Sequence, residues 1–70
     1  MESQRDMIMK SIYDYCNKNN LTLIDFGISH TVNNDKVLIV NEVYYKDKLI
    51  WSKDSNISIE KSLNKIQPLE

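Results

Sequence analysis

KVLIVNEVYYKDKLIWSK, residues 36–53, decides the fold. Lys36 to Tyr45 is dense in β-branched and aromatic side chains, which suit a pleated, half-buried surface. Lys46-Asp47 reads as a two-residue hairpin turn, because Asp tolerates positive φ. Lys48 to Lys53 is then the returning strand. Upstream, Leu21 to Thr31 alternates imperfectly, with Leu21 and Leu23 inward and Phe26 or Ile28 as the next inward candidate. Gly27 predicts a bulge that switches the phase of this strand. Val32-Asn33-Asn34-Asp35 predicts the turn into the central strand, and the three strands together make an antiparallel meander. One ambiguity of phase remains in the central strand: with Val43 inward, Asn41 is inward too unless a bulge intervenes.

Helical spacing flanks the strands. Ser3-Gln4-Arg5-Asp6 has the Ser-x-x-acid spacing of a capping box, and Ile8, Ile12 and Tyr15, with Met9 and Cys16 beside them, form one apolar stripe. A helix over roughly residues 4–18 follows, stopped by Asn19 and Asn20, since Asn accepts the left-handed conformation of a helix C-terminus. At the other end Asp54-Ser55-Asn56 is an exit turn and Ser58 a candidate N-cap, with Glu60 in the first turn. Ile59, Leu63 and Ile66 give a narrow stripe, and Pro68 ends the element. The expected architecture is α+β, in the order α-β-β-β-α: a three-stranded antiparallel meander with two helices packed on one face, residues 1–70 forming a single domain.

Seventy residues give a core that supplies only a few kcal/mol of net stability without a staple. Cys16 is the only cysteine, so neither an intramolecular disulfide nor a Cys/His zinc site is available, and a lone thiol points to a reducing cytoplasm. No apolar run reaches the ~20 residues of a membrane span, and MESQRD lacks the basic and apolar regions of a signal peptide. The net charge is −1, with four basic and six acidic side chains in residues 1–45 and five basic and four acidic in 46–70. That balance argues against nonspecific nucleic-acid binding as the main activity. Abundant Asn, Ile and Lys, with little Gly or Pro, suit an AT-rich coding sequence such as that of a low-GC bacterium, its phage or an AT-rich virus.

NEVYYKDKLIWSKDSNISIEKSLNK, residues 41–65, resembles the second half of a double-stranded-RNA-binding domain. Glu42-Val43-Tyr44-Tyr45 and Lys48-Leu49-Ile50 look like its hairpin. Ser58, Asn64 and Lys65 fall where its second helix has Ser, Asn and Lys, and residues 11–18 resemble its first helix. The resemblance implies the α-β-β-β-α fold and, in the family, binding of duplex RNA. The departures fall on the RNA-contacting parts. The helix-2 lysines that bridge the major groove would sit at Ile59, Glu60 and Leu63, and none is basic. The Gly-Pro-x-His segment of the first inter-strand loop has no match in Thr31-Val32-Asn33-Asn34, and His30 comes about four positions early.

Trp51 is the first candidate site residue. If Ile50 packs under the helices, alternation turns Trp51 to the open face, beside Lys48, Lys53 and the tyrosines of the central strand. Trp and Tyr dominate binding hot spots, so Trp51, Tyr44, Tyr45, Lys48 and Lys53 form a candidate partner-binding set. The plainer alternative is that Trp51 covers the sheet or completes the core. Tyr44 and Tyr45 point to opposite faces, and the presented one reads as ordinary sheet surface, where it can pair with Trp51 across the strands. Lys46, Lys48 and Lys53 about the hairpin, with Lys61 and Lys65 on the second helix, form the alternative nucleic-acid-binding set. Asp47, Asp54 and Glu60 lie among them, and solvated surface is their default role. His30 has only Ser29 and Asp25 as sequence neighbours for a catalytic arrangement, and Cys16 is read as a small core residue. One glycine cannot build a phosphate loop. The expectation is a non-enzymatic module without cofactor or metal, binding a protein or a second copy of itself. Such a module is compatible with a phage or viral inhibitor or adapter of a host protein. Duplex RNA or DNA binding is the alternative, and no membrane is involved.

Overall fold

The structure, a computed structural model, describes residues 4–33 and 37–66. In chain order it contains α1 (Gln4–Asn19), a short 3₁₀ turn (Leu23–Asp25), β1 (Phe26–Asn33), β2 (Val37–Tyr45), β3 (Lys48–Ser52) and α2 (Ile59–Leu63). The strands form one antiparallel sheet in the order β1-β2-β3, with both helices on one face. The α+β meander expected from the sequence is the fold observed. The capping box at Ser3, residues 34–36 of the first inter-strand turn and Pro68 lie outside the described residues.

α1 forms because Ile8, Ile12 and Cys16 recur every fourth residue, and these three are its buried positions. Its end is built as the asparagines suggested. Asn20 takes φ 56°, and the Leu21 amide donates to the Cys16 carbonyl at 3.1 Å, the six-to-one bond of a Schellman motif. Leu21 thereby folds back against the core beside Cys16. At the other end of the chain, the Ser58 hydroxyl accepts from the Lys61 amide at 3.2 Å, capping α2. Tyr15 joins the two ends, its hydroxyl donating to the Ile66 carbonyl across the helix–helix seam.

The core consists of Ile8, Ile12 and Cys16 from α1, Val40 and Val43 from β2, and Ile59 and Leu63 from α2. Ile12, Val40 and Val43 are completely enclosed. Val40 and Val43 are three residues apart, so a regular strand would send them to opposite faces. A bulge reconciles them: Ser29 pairs with Glu42 and His30 with Val40, leaving Asn41 as the extra residue. The phase change expected at Gly27 is therefore carried by β2 at Asn41. Gly27 pairs regularly with Tyr44, and the Asn41 carbonyl accepts from the Lys53 amide at 2.8 Å.

Two further expectations are corrected. Residues 21–25 are not strand. Leu23–Asp25 coil into the 3₁₀ turn, and the strand begins at Phe26, because the Schellman turn delivers the chain at the sheet's corner. Val32 and Asn33, expected in the turn, extend β1 and pair with Leu38 and Val37. The Lys46-Asp47 hairpin is as expected, with φ of 50° and 65° at the two positions, the double positive pair of a type I′ turn.

Candidate interaction surface

A second bulge decides which side chains the sheet presents. Val43 pairs with Trp51 and Tyr44 with Leu49, so Ile50 is the extra residue in β3. Ile50 and Trp51 both reach the core, and Leu49 turns to the open face, where it is 54% exposed. Trp51 is thus on the helix side, opposite Val43, rather than on the open face as simple alternation implied. Its indole N–H donates to the Ile57 carbonyl at 3.0 Å, which fixes the connection into the capped first turn of α2. In place of a cross-strand pair of Trp51 with the presented tyrosine, Tyr44 stands opposite Leu49.

The two tyrosines do divide between the faces. Tyr45 pairs with Phe26 on the helix side, ring centroids 4.8 Å apart, and Lys46 Nζ lies 5.4 Å from its ring centre. Tyr44 lies on the open face between Gly27 of β1 and Leu49 of β3. Its hydroxyl donates to Glu42 Oε1 at 2.6 Å, pinning the ring along the strand. That hydrogen bond, with smaller contributions from desolvation and from the Glu42 charge, raises the Tyr44 hydroxyl above its ordinary pKa.

The open face is therefore zoned. One row across all three strands reads Gly27, Tyr44, Leu49, and the next reads Ser29, Glu42, Ser52. Ile24, on the 3₁₀ turn at the sheet's corner, is 85% exposed and shares with Gly27 and Tyr44 a shallow groove of about 360 Å³. Gly27 leaves this groove open on β1, since a Cβ there would meet only the Tyr44 Cβ at 3.9 Å. Ile24 and Leu49 were missed by sequence reasoning. The signal for Leu49 was available: the run Leu49-Ile50-Trp51 is apolar at three consecutive positions, which strict alternation cannot bury.

The lysines fall on several elements. Lys46 and Lys48 sit at the hairpin end of β3, Lys53 follows its other end, and Lys61 and Lys65 are on and just beyond α2. Lys48 and Lys53 lie on either side of Trp51 along the chain, and Trp51 itself is on the helix side. Ser29 and His30 are neighbours in β1 and face opposite sides. His30 lines a cleft on the helix side with Arg5, Met9, Leu23, Phe26 and Ile28. Cys16 is buried, and burial, aided by the Asp25 charge, raises its thiol pKa. Among the described residues no three His, Cys, Asp or Glu side chains approach as metal ligands would, and no helix is long and apolar enough to cross a membrane. No protein-family model matches the chain, and no curated protein or solved structure does.

Proposed function

We propose that this chain is a non-catalytic protein-binding module that keeps the shape of a double-stranded-RNA-binding domain and recognises protein instead. The observation that carries the proposal is the apolar row on the open sheet face, where Ile24 and Leu49 are 85% and 54% exposed on either side of a pinned Tyr44. A rigid aromatic ring flanked by exposed aliphatics and bordered by the polar Ser29-Glu42-Ser52 row has the composition of a small interface centre with its rim. The partner would present an apolar side chain to the groove beside Gly27. The AT-rich composition leads us to extend the proposal to a phage or viral inhibitor or adapter acting on a host protein in the cytoplasm.

Nucleic-acid binding through Lys46, Lys48, Lys53, Lys61 and Lys65 is the competing function. Their dispersal to both ends of β3 and to α2, in a chain of net charge −1, weighs against it. The test compares wild type, an Ile24→Ser/Leu49→Ser variant and a Lys46→Gln/Lys48→Gln variant in affinity capture at low and high salt. A partner lost only with the first variant and retained at high salt supports the proposal. Micromolar binding to duplex RNA at physiological salt, abolished by the lysine variant, would overturn it.

A further inference from the structure

The two edges of the sheet are treated differently. β3 is short, bulged at Ile50 and bounded by Lys48 and Lys53, three devices that deter a strand from pairing with another chain. β1 is also an edge strand, and it has none of them. It runs for eight residues, Phe26-Gly-Ile-Ser-His-Thr-Val-Asn33, with no lysine, acid or proline, and the bulge beside it belongs to β2. α1 packs chiefly on β2, and among the described residues no strand pairs with the other edge of β1.

We infer that the β1 edge is a self-association surface, on which the β1 of a second copy pairs antiparallel to give a continuous six-stranded sheet. The backbone limits the registers to those that pair edge-facing residues with one another, and a centre at Ser29 overlaps the two strands most fully. The Lys46 amide donates to the Asp25 carbonyl at 2.8 Å, so Asp25 directs its backbone groups toward β2. Alternation then directs those of Gly27, Ser29 and Thr31 toward β2 as well, and leaves those of Ile28, His30 and Val32 at the open edge. A two-fold axis through Ser29 pairs the edge groups of Ile28 with those of His30 of the other copy and sets Phe26 beside Val32, where only the Phe26 carbonyl is open to the new strand because its N–H donates to the Leu23 carbonyl. Phe26, Ile28, His30 and Val32 all lie on the helix side, so each pair shares a face as antiparallel pairing requires.

Two features identify the occupant as a second copy. Val32 is on the helix side yet 57% exposed, because nothing among the described residues covers it, and this register sets it against Phe26 of the other copy. β1 also carries no lysine, arginine or acidic side chain, so no like-charged pair of these types meets across the two copies. A groove lies on each face of the strand. The helix-side one, about 240 Å³, is lined by Phe26, Ile28 and His30 with Arg5 and Met9, and the open-face one by Gly27 and Ser29 with Ile24 and Tyr44. A paired strand would feed its alternate side chains into the two. This inference rests on the β1 backbone edge and not on the open-face proposal, although Thr31 of the second copy would stand opposite Gly27, so the dimer and a partner seated in that groove would compete.

Sedimentation of the wild-type chain and cysteine cross-linking test it. The expected result is a concentration-dependent dimer that Val32→Lys dissociates with its far-UV circular dichroism unchanged. In the inferred register Ser29 faces its own copy in a non-hydrogen-bonded pair, with Cα atoms roughly 4.5 Å apart, inside the range of a disulfide. Thr31 faces Gly27 and lies about 13 Å from its own copy, by four residue steps. With oxidised glutathione, Ser29→Cys should therefore give a covalent dimer and Thr31→Cys should not; the buried Cys16 serves as the internal control. A chain that stays monomeric up to millimolar concentration, one that forms species larger than dimers, a dimer insensitive to Val32→Lys, or equal cross-linking of the two cysteine variants would each overturn the inference.

Discussion

Replacing Trp51 tests the correction that matters most to the interaction surface. If Trp51 stood on the open face, truncating it would leave stability nearly unchanged. In the structure its indole packs on the core opposite Val43 and its N–H bonds the Ile57 carbonyl, so its loss should be felt throughout the fold. Trp51→Phe keeps most of the ring burial and deletes the hydrogen bond, which contributes about 1 kcal/mol. The smaller ring adds a few tenths more. A total of about 1.5 kcal/mol lowers the Tm of a domain this size by about 6–12 °C. Trp51→Ala removes the ring as well. Fully buried Trp positions lose about 3–5 kcal/mol on such truncation, and a half-buried one about 2–4. A core of this size supplies only about 3–5 kcal/mol in all, so the Ala variant should be substantially unfolded at 25 °C. Urea and thermal titration followed by far-UV circular dichroism measure both. A Trp51→Ala protein as stable as wild type would refute the placement and return Trp51 to the open face. A pull-down with Trp51→Ala, by the same reasoning, would report on folding rather than on binding.

Three other outcomes follow from local geometry. The Ser62 hydroxyl is buried without a hydrogen-bond partner among the described residues, so Ser62→Ala should raise stability by about 1 kcal/mol in urea titration, helped by the better helix propensity of Ala. Ser58→Ala removes the cap on the Lys61 amide and should cost about 1 kcal/mol, whereas Ser58→Asp should cost almost nothing; equal losses from both would exclude capping as the cause. Burial raises the pKa of Cys16, and burial followed by Tyr45 and Cys16 raises that of Tyr15, so both groups hold their protons more tightly folded than unfolded. Stability should thus be fully present below the unfolded-state values and decline as pH rises through them, from about pH 8.5 upward. The urea midpoint at pH 7 and at pH 10 measures this, and a higher midpoint at pH 10 would contradict it.

The element order was legible because each element carries a local signal that tertiary packing did not override. The fourfold spacing of Ile8, Ile12 and Cys16, the Asn19-Asn20 stop, the Lys46-Asp47 turn and the Ser58 cap all act within one or two turns of chain. The faces of the strands were less legible, because each bulge inverts everything beyond it. The Asn41 bulge left a trace in the three-residue spacing of Val40 and Val43, yet Gly27 drew the expectation because glycine is the usual marker of irregular strands. The Ile50 bulge exchanged Leu49 for Trp51 on the open face, and with it the identity of the candidate site. The 3₁₀ turn over Leu23–Asp25 is set by how the Schellman turn meets the sheet, a three-dimensional constraint with no periodicity of its own.

The seam between α1 and α2 bears on how the chain is made. Ile8 and Ile12 share their core with Val40 and Val43 of β2 and with Ile59 and Leu63 of α2. The Tyr15 hydroxyl finds its acceptor only at Ile66, 51 positions later. At about 5–20 residues per second, several seconds of synthesis separate Tyr15 from this partner. Until then the α1 stripe and the sheet have no α2 to complete the core between them. Completion of this core therefore waits on the C-terminal helix, and an N-terminal fragment ending before Ile59 would lack two of its seven buried apolar residues.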